Sequence, residues 1–187
     1  MSRDEFDSIE FDAAASGDHA SAARQMSLLA ETGAETAAMP RAEAYLRAAE
    51  QWMLADDPAE AAGGFRRAMA EGGPVFVEPR VSLARALFQL GKDSEAQAII
   101  SDLKADGPSD PRICDMVAEL LVERSDLESA LDWATAGVTL CLAPDGEAQP
   151  QPAKDRSELR LLLSLRYRIR NDLGLPEDDY DQLLDER

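Results

Sequence analysis

Three stretches of the chain superimpose on one another at a nearly constant spacing, and that periodicity constrains the fold more than any single residue does. AEAYLRAAEQWMLADDPAEAAGGFRRAM begins at Ala42, VEPRVSLARALFQLGKDSEAQAIISDLK at Val77 and PRICDMVAELLVERSDLESALDWATAGV at Pro111, so the starts are 35 and 34 residues apart. A period in this range is that of one supersecondary unit stacked on the next. Within each copy the apolar and small residues form two stripes at helical spacing, divided by a polar break that suits a tight turn. In the first copy Tyr45, Ala48, Ala49 and Trp52 make one stripe, and Ala61, Phe65 and Ala68 the other. Asp56-Asp57-Pro58 stops one helix and starts the next, with Pro58 placed where its missing N–H costs nothing. Antiparallel helix pairs of roughly 12 to 15 residues per helix follow.

Composition permits this and excludes other classes. The 187 residues are 45% hydrophobic but only 5% aromatic, which suits a core built mainly from Ala and Leu. No run of about 18 apolar residues suggests a membrane span, and the opening MSRDEFDSIEFD is acidic where a signal peptide would be basic and then apolar. A cytoplasmic setting is expected. The 16 Arg against 3 Lys, with abundant Ala, suggest bacterial high-GC coding. A net charge of −18 opposes contact with a phosphate backbone, so neither nucleic acid nor an anionic membrane is expected as a partner. The charge is uneven. Lys154, Arg156, Arg160, Arg166, Arg168 and Arg170 stand against Asp155 and Glu158, a local +4 that suggests one basic face.

The residue types resemble a known pattern. Tyr45-x-x-Ala48-Ala49-x-x-Trp52, then Ala61-x-x-x-Phe65 and Ala68, is similar to the tetratricopeptide signature, with small residues where helices cross closely and bulky ones between hairpins. The second copy resembles it through Leu83-Ala84, Leu87, Gly91, Ala96, Ile100 and Pro108, and the third through Val117-Ala118, Leu121, Ala130 and Ala134. Arg80 and Cys114 depart from it by replacing the first aromatic, Ala134 by replacing the second-helix aromatic, and Gly73 by standing in the slot of Pro108. A divergent hairpin precedes these, with Phe6, Ile9 and Ala13, then Gly17-Asp18-His19 as a turn, then Ala22, Met26 and Leu29. Its step to the next copy is 39 residues, and Glu10 fills a small-residue slot.

The resemblance implies an all-α chain: a right-handed superhelical stack of antiparallel helix hairpins with a C-terminal capping helix. The expected organisation is one domain, with a divergent hairpin at 3–36, repeats at 42–74, 77–108 and 111–142, a Pro-rich linker at 143–153 and capping helices at 155–186. The ending RYRIRNDLGLPEDDYDQLLDE also resembles the tail of bacterial helical-repeat proteins that elsewhere carry a cysteine-rich SEC-C zinc motif. That motif is absent, so no metal is carried over.

A search for reactive chemistry finds little. His19 is the sole histidine and reads as a solvated turn residue. Cys114 and Cys141 lack CxxC spacing and read as free core thiols. Gly91-Lys92 with Ser94 lacks the upstream glycine and strand of a phosphate loop, so it reads as a hairpin turn. Asp56-Asp57 and Asp178-Asp179 sit at helix starts, where capping explains them. Trp52 and Trp133 are spaced for burial. No catalytic residue, cofactor, metal or small-molecule substrate is indicated.

Stacked hairpins curve, with first helices lining the concave side. Projecting each first helix with its packing stripe inward leaves a second stripe for a partner-binding groove: Leu46, Arg47, Glu50, Met53 and Leu54, then Val81, Ser82, Arg85 and Phe88, then Asp115, Met116, Glu119 and Val122. An exposed apolar stripe of this kind calls for a cover. The leading expectation is a non-catalytic interaction module that holds a peptide or helix of a partner protein, with acidic groups meeting Arg47 and Arg85. The alternative is a homo-oligomeric structural or regulatory protein, such as a homodimer, whose groove is closed by its own C-terminal helix or a second chain. Leu46 and Glu50 stand where carboxylate-clamping tetratricopeptide domains carry Lys and Asn, which argues against chaperone-tail recognition.

Overall fold

A computed structural model describes residues 2–36, 38–73, 75, 77–143 and 152–184, with side chains in the last segment from 157 onward. The described residues form helices α1 (Arg3–Ser16), α2 (His19–Thr32), α3 (Arg41–Leu54), α4 (Pro58–Glu71), α5 (Pro79–Gln89), α6 (Asp93–Asp106), α7 (Pro111–Glu123), α8 (Leu127–Leu142), α9 (Pro152–Asp172) and α10 (Asp179–Gln182). An isolated bridge between Thr36 and Met39 is the extended pairing among them. The PVFVE segment forms no strand at its described residues. Most of the linker expected at 143–153 lies outside the described residues, and α9 begins at Pro152 rather than at Asp155.

The turn chemistry explains why the helices break where they do. Gly17, Asp56, Gly91 and Ser125 all adopt positive φ, at 77°, 58°, 70° and 60°. Each sits in the turn between the two helices of a hairpin, 39, 35 and 34 residues apart along the chain. In three of the four turns an Asp follows directly and caps the second helix: Asp18 accepts from the Ser21 N–H, Asp57 from Glu60 and Asp126 from Ser129. The first helices of later hairpins use another device. Glu78-Pro79-Arg80 and Asp110-Pro111-Arg112 each place an acidic N-cap before a proline at the helix start, and the arginine two residues on pairs with the capping carboxylate. Arg80 stands in an aromatic slot of the repeat because it performs this local task.

The chain divides into two compact units, 1–102 and 103–187. In the first, α1 packs on α2, α2 on α3, α3 on α4 and α4 on α5. Its core is Phe6, Met26, Tyr45, Ala48, Ala49, Phe65, Leu83 and Leu87, with small residues at the crossings. The closest approach is at Gly64, where an added Cβ would lie 2.8 Å from Ala49 Cβ. In the second unit α7 packs on α8, and α9 lies against both, as the first helix of a further hairpin would. Gly137 on α8 plays the part of Gly64: a Cβ there would come within 2.9 Å of both Leu162 and Cys114. Cys114 and Cys141 are free thiols, and burial foremost pushes Cys114 up to about 11, so it stays protonated.

α10 is held to α9 by charge. Arg166 is buried and donates to both Asp178 (2.5 Å) and Asp181 (3.2 Å), while Arg170 pairs with Asp178 at 3.0 Å and Asp181 at 3.1 Å. Asp178 is also the N-cap of α10 in a complete capping box. The hydrogen bond from Arg166 is the largest cause holding its carboxyl down to about 2. The basic face expected on this helix is therefore reduced. Two of its arginines turn inward to neutralise the buried Asp181 and the half-buried Asp178, while Arg160 and Arg168 remain exposed.

Candidate functional site

In the first unit the first helices α1, α3 and α5 frame a pocket of about 390 Å³. Glu10 comes from α1, Glu50, Gln51, Met53 and Leu54 from α3, and Ser82 and Arg85 from α5, while the buried ring of Phe65 on α4 contributes an apolar wall. Five of the residues expected to line a groove are brought together here: Glu50, Met53, Leu54, Ser82 and Arg85. Leu54 is 61% exposed at the pocket edge.

Other expected groove residues are elsewhere. Leu46 and Val81 are buried at 1% exposure and Phe88 at 8%, so they belong to the core and not to an open surface. The helical projection allowed each first helix one packed stripe. α3 in fact packs on both α2 and α4, so a second stripe is buried as well. Met116, Glu119 and Val122 lie on α7 in the second unit, half-buried, exposed and half-buried in turn. Asp115 stands one repeat on from Val81. Burial, the largest cause, with Glu119 and Glu158 pushes it up to about 6.

Arg47 is not free to meet a partner. It forms a two-pronged contact with Glu10 (2.8 and 2.5 Å), reaches Asp7 at 2.6 Å, and lies over the Phe6 ring at 5.6 Å. Its guanidinium is held charged, first by the hydrogen bond to Glu10. This contact explains the acidic residue in the small slot of the first hairpin. Glu10 fits there because Arg47, 37 residues later, neutralises it. His19 likewise differs from the solvated turn residue expected. It is the first residue of α2, partly buried, with Nδ1 2.9 Å from Oε1 of the buried pocket residue Gln51.

Glu50 carries the electrostatics of the pocket. It is half-buried and makes no hydrogen bond or ion pair among the described residues. Burial is the main cause that pushes its carboxyl up to about 7, aided by the negative charges of Glu43 and Glu10 and opposed by Arg47. A carboxylate withdrawn from water without a partner costs free energy. Sequence reasoning placed Glu50 in the groove but could not see its isolation, which depends on Arg47 being satisfied by α1. Among the described residues no group of three or more His, Cys, Asp or Glu side chains is arranged to hold a metal ion. No helix among them is long and apolar enough to cross a membrane.

Comparison with known families agrees with the helical geometry. Residues 52–120, from the end of α3 into α7, match the tetratricopeptide repeat. That segment is similar to the tetratricopeptide repeat, and the helices on either side of it pack as further hairpins of the same kind. No curated protein and no solved structure matches the chain. The tetratricopeptide match begins at Trp52, so the N-terminal hairpin and α9 are assigned to the stack by their packing on neighbouring helices. Helical hairpins packed neighbour on neighbour, as the described residues form them, are the architecture of a tetratricopeptide-like α-solenoid.

Proposed function

We propose that the chain is a non-catalytic interaction module that binds a segment of a partner protein on the first-helix face of residues 1–102. The observation that carries this reading is the pocket between α1, α3 and α5, in which Met53 and Leu54 offer apolar surface beside an unpaired carboxylate. Side chains that remain partly bare at a concave site on a rigid scaffold are the usual anchors of binding. Phe88 is core and is not among these anchors. The part of the groove expected on α7 remains a proposal for the second unit.

A photo-crosslinking residue placed at Leu54, with Met69 on α4 as the control position, tests the reading in living cells. The expected result is a discrete crosslinked partner from position 54 and none from 69. Equal labelling from both positions, or none from 54, rejects the pocket as the docking site.

A further inference from the structure

The charges around the pocket say what kind of segment fits. Arg47 is matched by Asp7 and Glu10, so its positive charge is already consumed within the chain. The charges acting on Glu50 are then two carboxylates, Glu43 and Glu10, against that one neutralised guanidinium, while Arg85 stands on the α5 side of the pocket lining without lowering the Glu50 carboxyl. An acidic segment would meet this carboxylate with repulsion, and an uncharged one would bury it as the protonated acid and gain no ion pair. A positive side chain would satisfy it.

We propose that the occupant is a segment of a partner protein that sets a lysine or arginine against the Glu50 carboxylate and an apolar side chain on Met53 and Leu54. This rests on the reading of the pocket as a partner's docking site, and it reverses the acidic partner that Arg47 and Arg85 suggest from sequence alone. Three features of the pocket meet in it. The volume of about 390 Å³ is near the small end of ligand pockets, which run from ~300 to 1,000 Å³, and suits one or two anchoring side chains. The apolar wall and the carboxylate lie on one helix face, because Glu50, Met53 and Leu54 are three and four residues apart on α3. The carboxylate is unpaired among the described residues and raised by burial, so a cation that enters gains a contact made outside bulk water. The net charge of −18 adds a long-range attraction for cationic segments, but that field is spread over the molecule and cannot select a register. Glu50 can.

Panning a random 12-residue peptide library on the full chain tests this, with recovered peptides titrated against wild type and variants. The expected result is enrichment of Lys or Arg close to Leu, Ile or Met. Glu50→Gln should weaken the best peptides at least tenfold, Met53→Ala with Leu54→Ala should weaken them similarly, and Glu71→Gln or Glu128→Gln, at exposed sites, should change them less than twofold. Cationic peptides that bind Glu50→Gln as well as wild type would show attraction by the general field and overturn the inference. Acidic or neutral peptides that depend on Met53 and Leu54 would also overturn it while leaving the pocket as a docking site. If no recovered peptide depends on Met53 and Leu54, the docking reading and the inference fall together.

Discussion

Single residues in this molecule are decided by what lies within a few ångströms of them. Gly63 and Gly64 are neighbours on α4, yet a Cβ at Gly63 meets nothing within 4 Å while one at Gly64 meets Ala49 Cβ at 2.8 Å. Gly63→Ala should stabilise the fold by about 0.5–1 kcal/mol through helix propensity. Gly64→Ala should destabilise it by about 1–3 kcal/mol, since overpacking against a stiff neighbour exceeds that gain. Chemical denaturation of the two variants checks the opposite signs. Glu50 makes a prediction in pH. Its folded pKa of about 7 lies above the ordinary 4.5, so the folded chain holds a proton that the unfolded chain releases between those values. Stability from this group is thus lost as pH rises from about 4.5 to 7, at about 1.4 kcal/mol per unit. Glu10 on α1, Glu43 and Arg47 on α3 and Arg85 on α5 are the charged groups about it. Glu50→Gln should therefore be more stable than wild type by about 3 kcal/mol at pH 8 and by little at pH 4.5. Equal stability of the two proteins at pH 8 would mean that the carboxylate is not desolvated.

At the scale of elements, the hairpin turns were legible and the buried faces were not. A residue able to adopt positive φ followed by a capping group is a local signal, which is why Gly17-Asp18 and Asp56-Asp57 can be found without coordinates, while Ser125-Asp126, with no glycine, carries a weaker one. How many faces of a helix are covered depends on elements distant in sequence. Leu46, Val81 and Phe88 therefore looked like surface on a projection and proved to be core. Glu10 and Arg47 are another such case, since their pairing becomes visible only once α1 and α3 lie side by side. The same limit applies to Arg166 and Arg170, whose charges suggested an open basic face but hold α10 in place. Arg166→Ala leaves Asp181, buried at 6%, with Arg170 as its remaining cationic partner, and should cost about 1–3 kcal/mol. Hydrogen exchange should then rise from residue 176 to 184 and little elsewhere. The Asp178 carboxyl is held below its ordinary 3.8, so its contribution is present above that value and is lost as pH falls toward 2.

For the whole molecule, a repeating scaffold leaves open a pocket between first helices of its first unit. The scaffold follows from small and bulky residues recurring in register, and the pocket from the few positions in the first unit where that register puts side chains on no neighbour. Ala48, Ala49, Ala61, Phe65 and Ala68 are spent on packing. Glu50, Met53 and Leu54 are what the same two helices have left to offer a partner. The most direct test is hydrogen–deuterium exchange on the full chain, free and with the segment recovered from the crosslink at position 54 or from panning. Slowed exchange in α1 around Glu10, in α3 from Glu50 to Leu54 and in α5 from Ser82 to Arg85, with α2 and the outer side of α4 unchanged, is the predicted result. Protection confined to the second helices, or none at all on binding, would contradict the account.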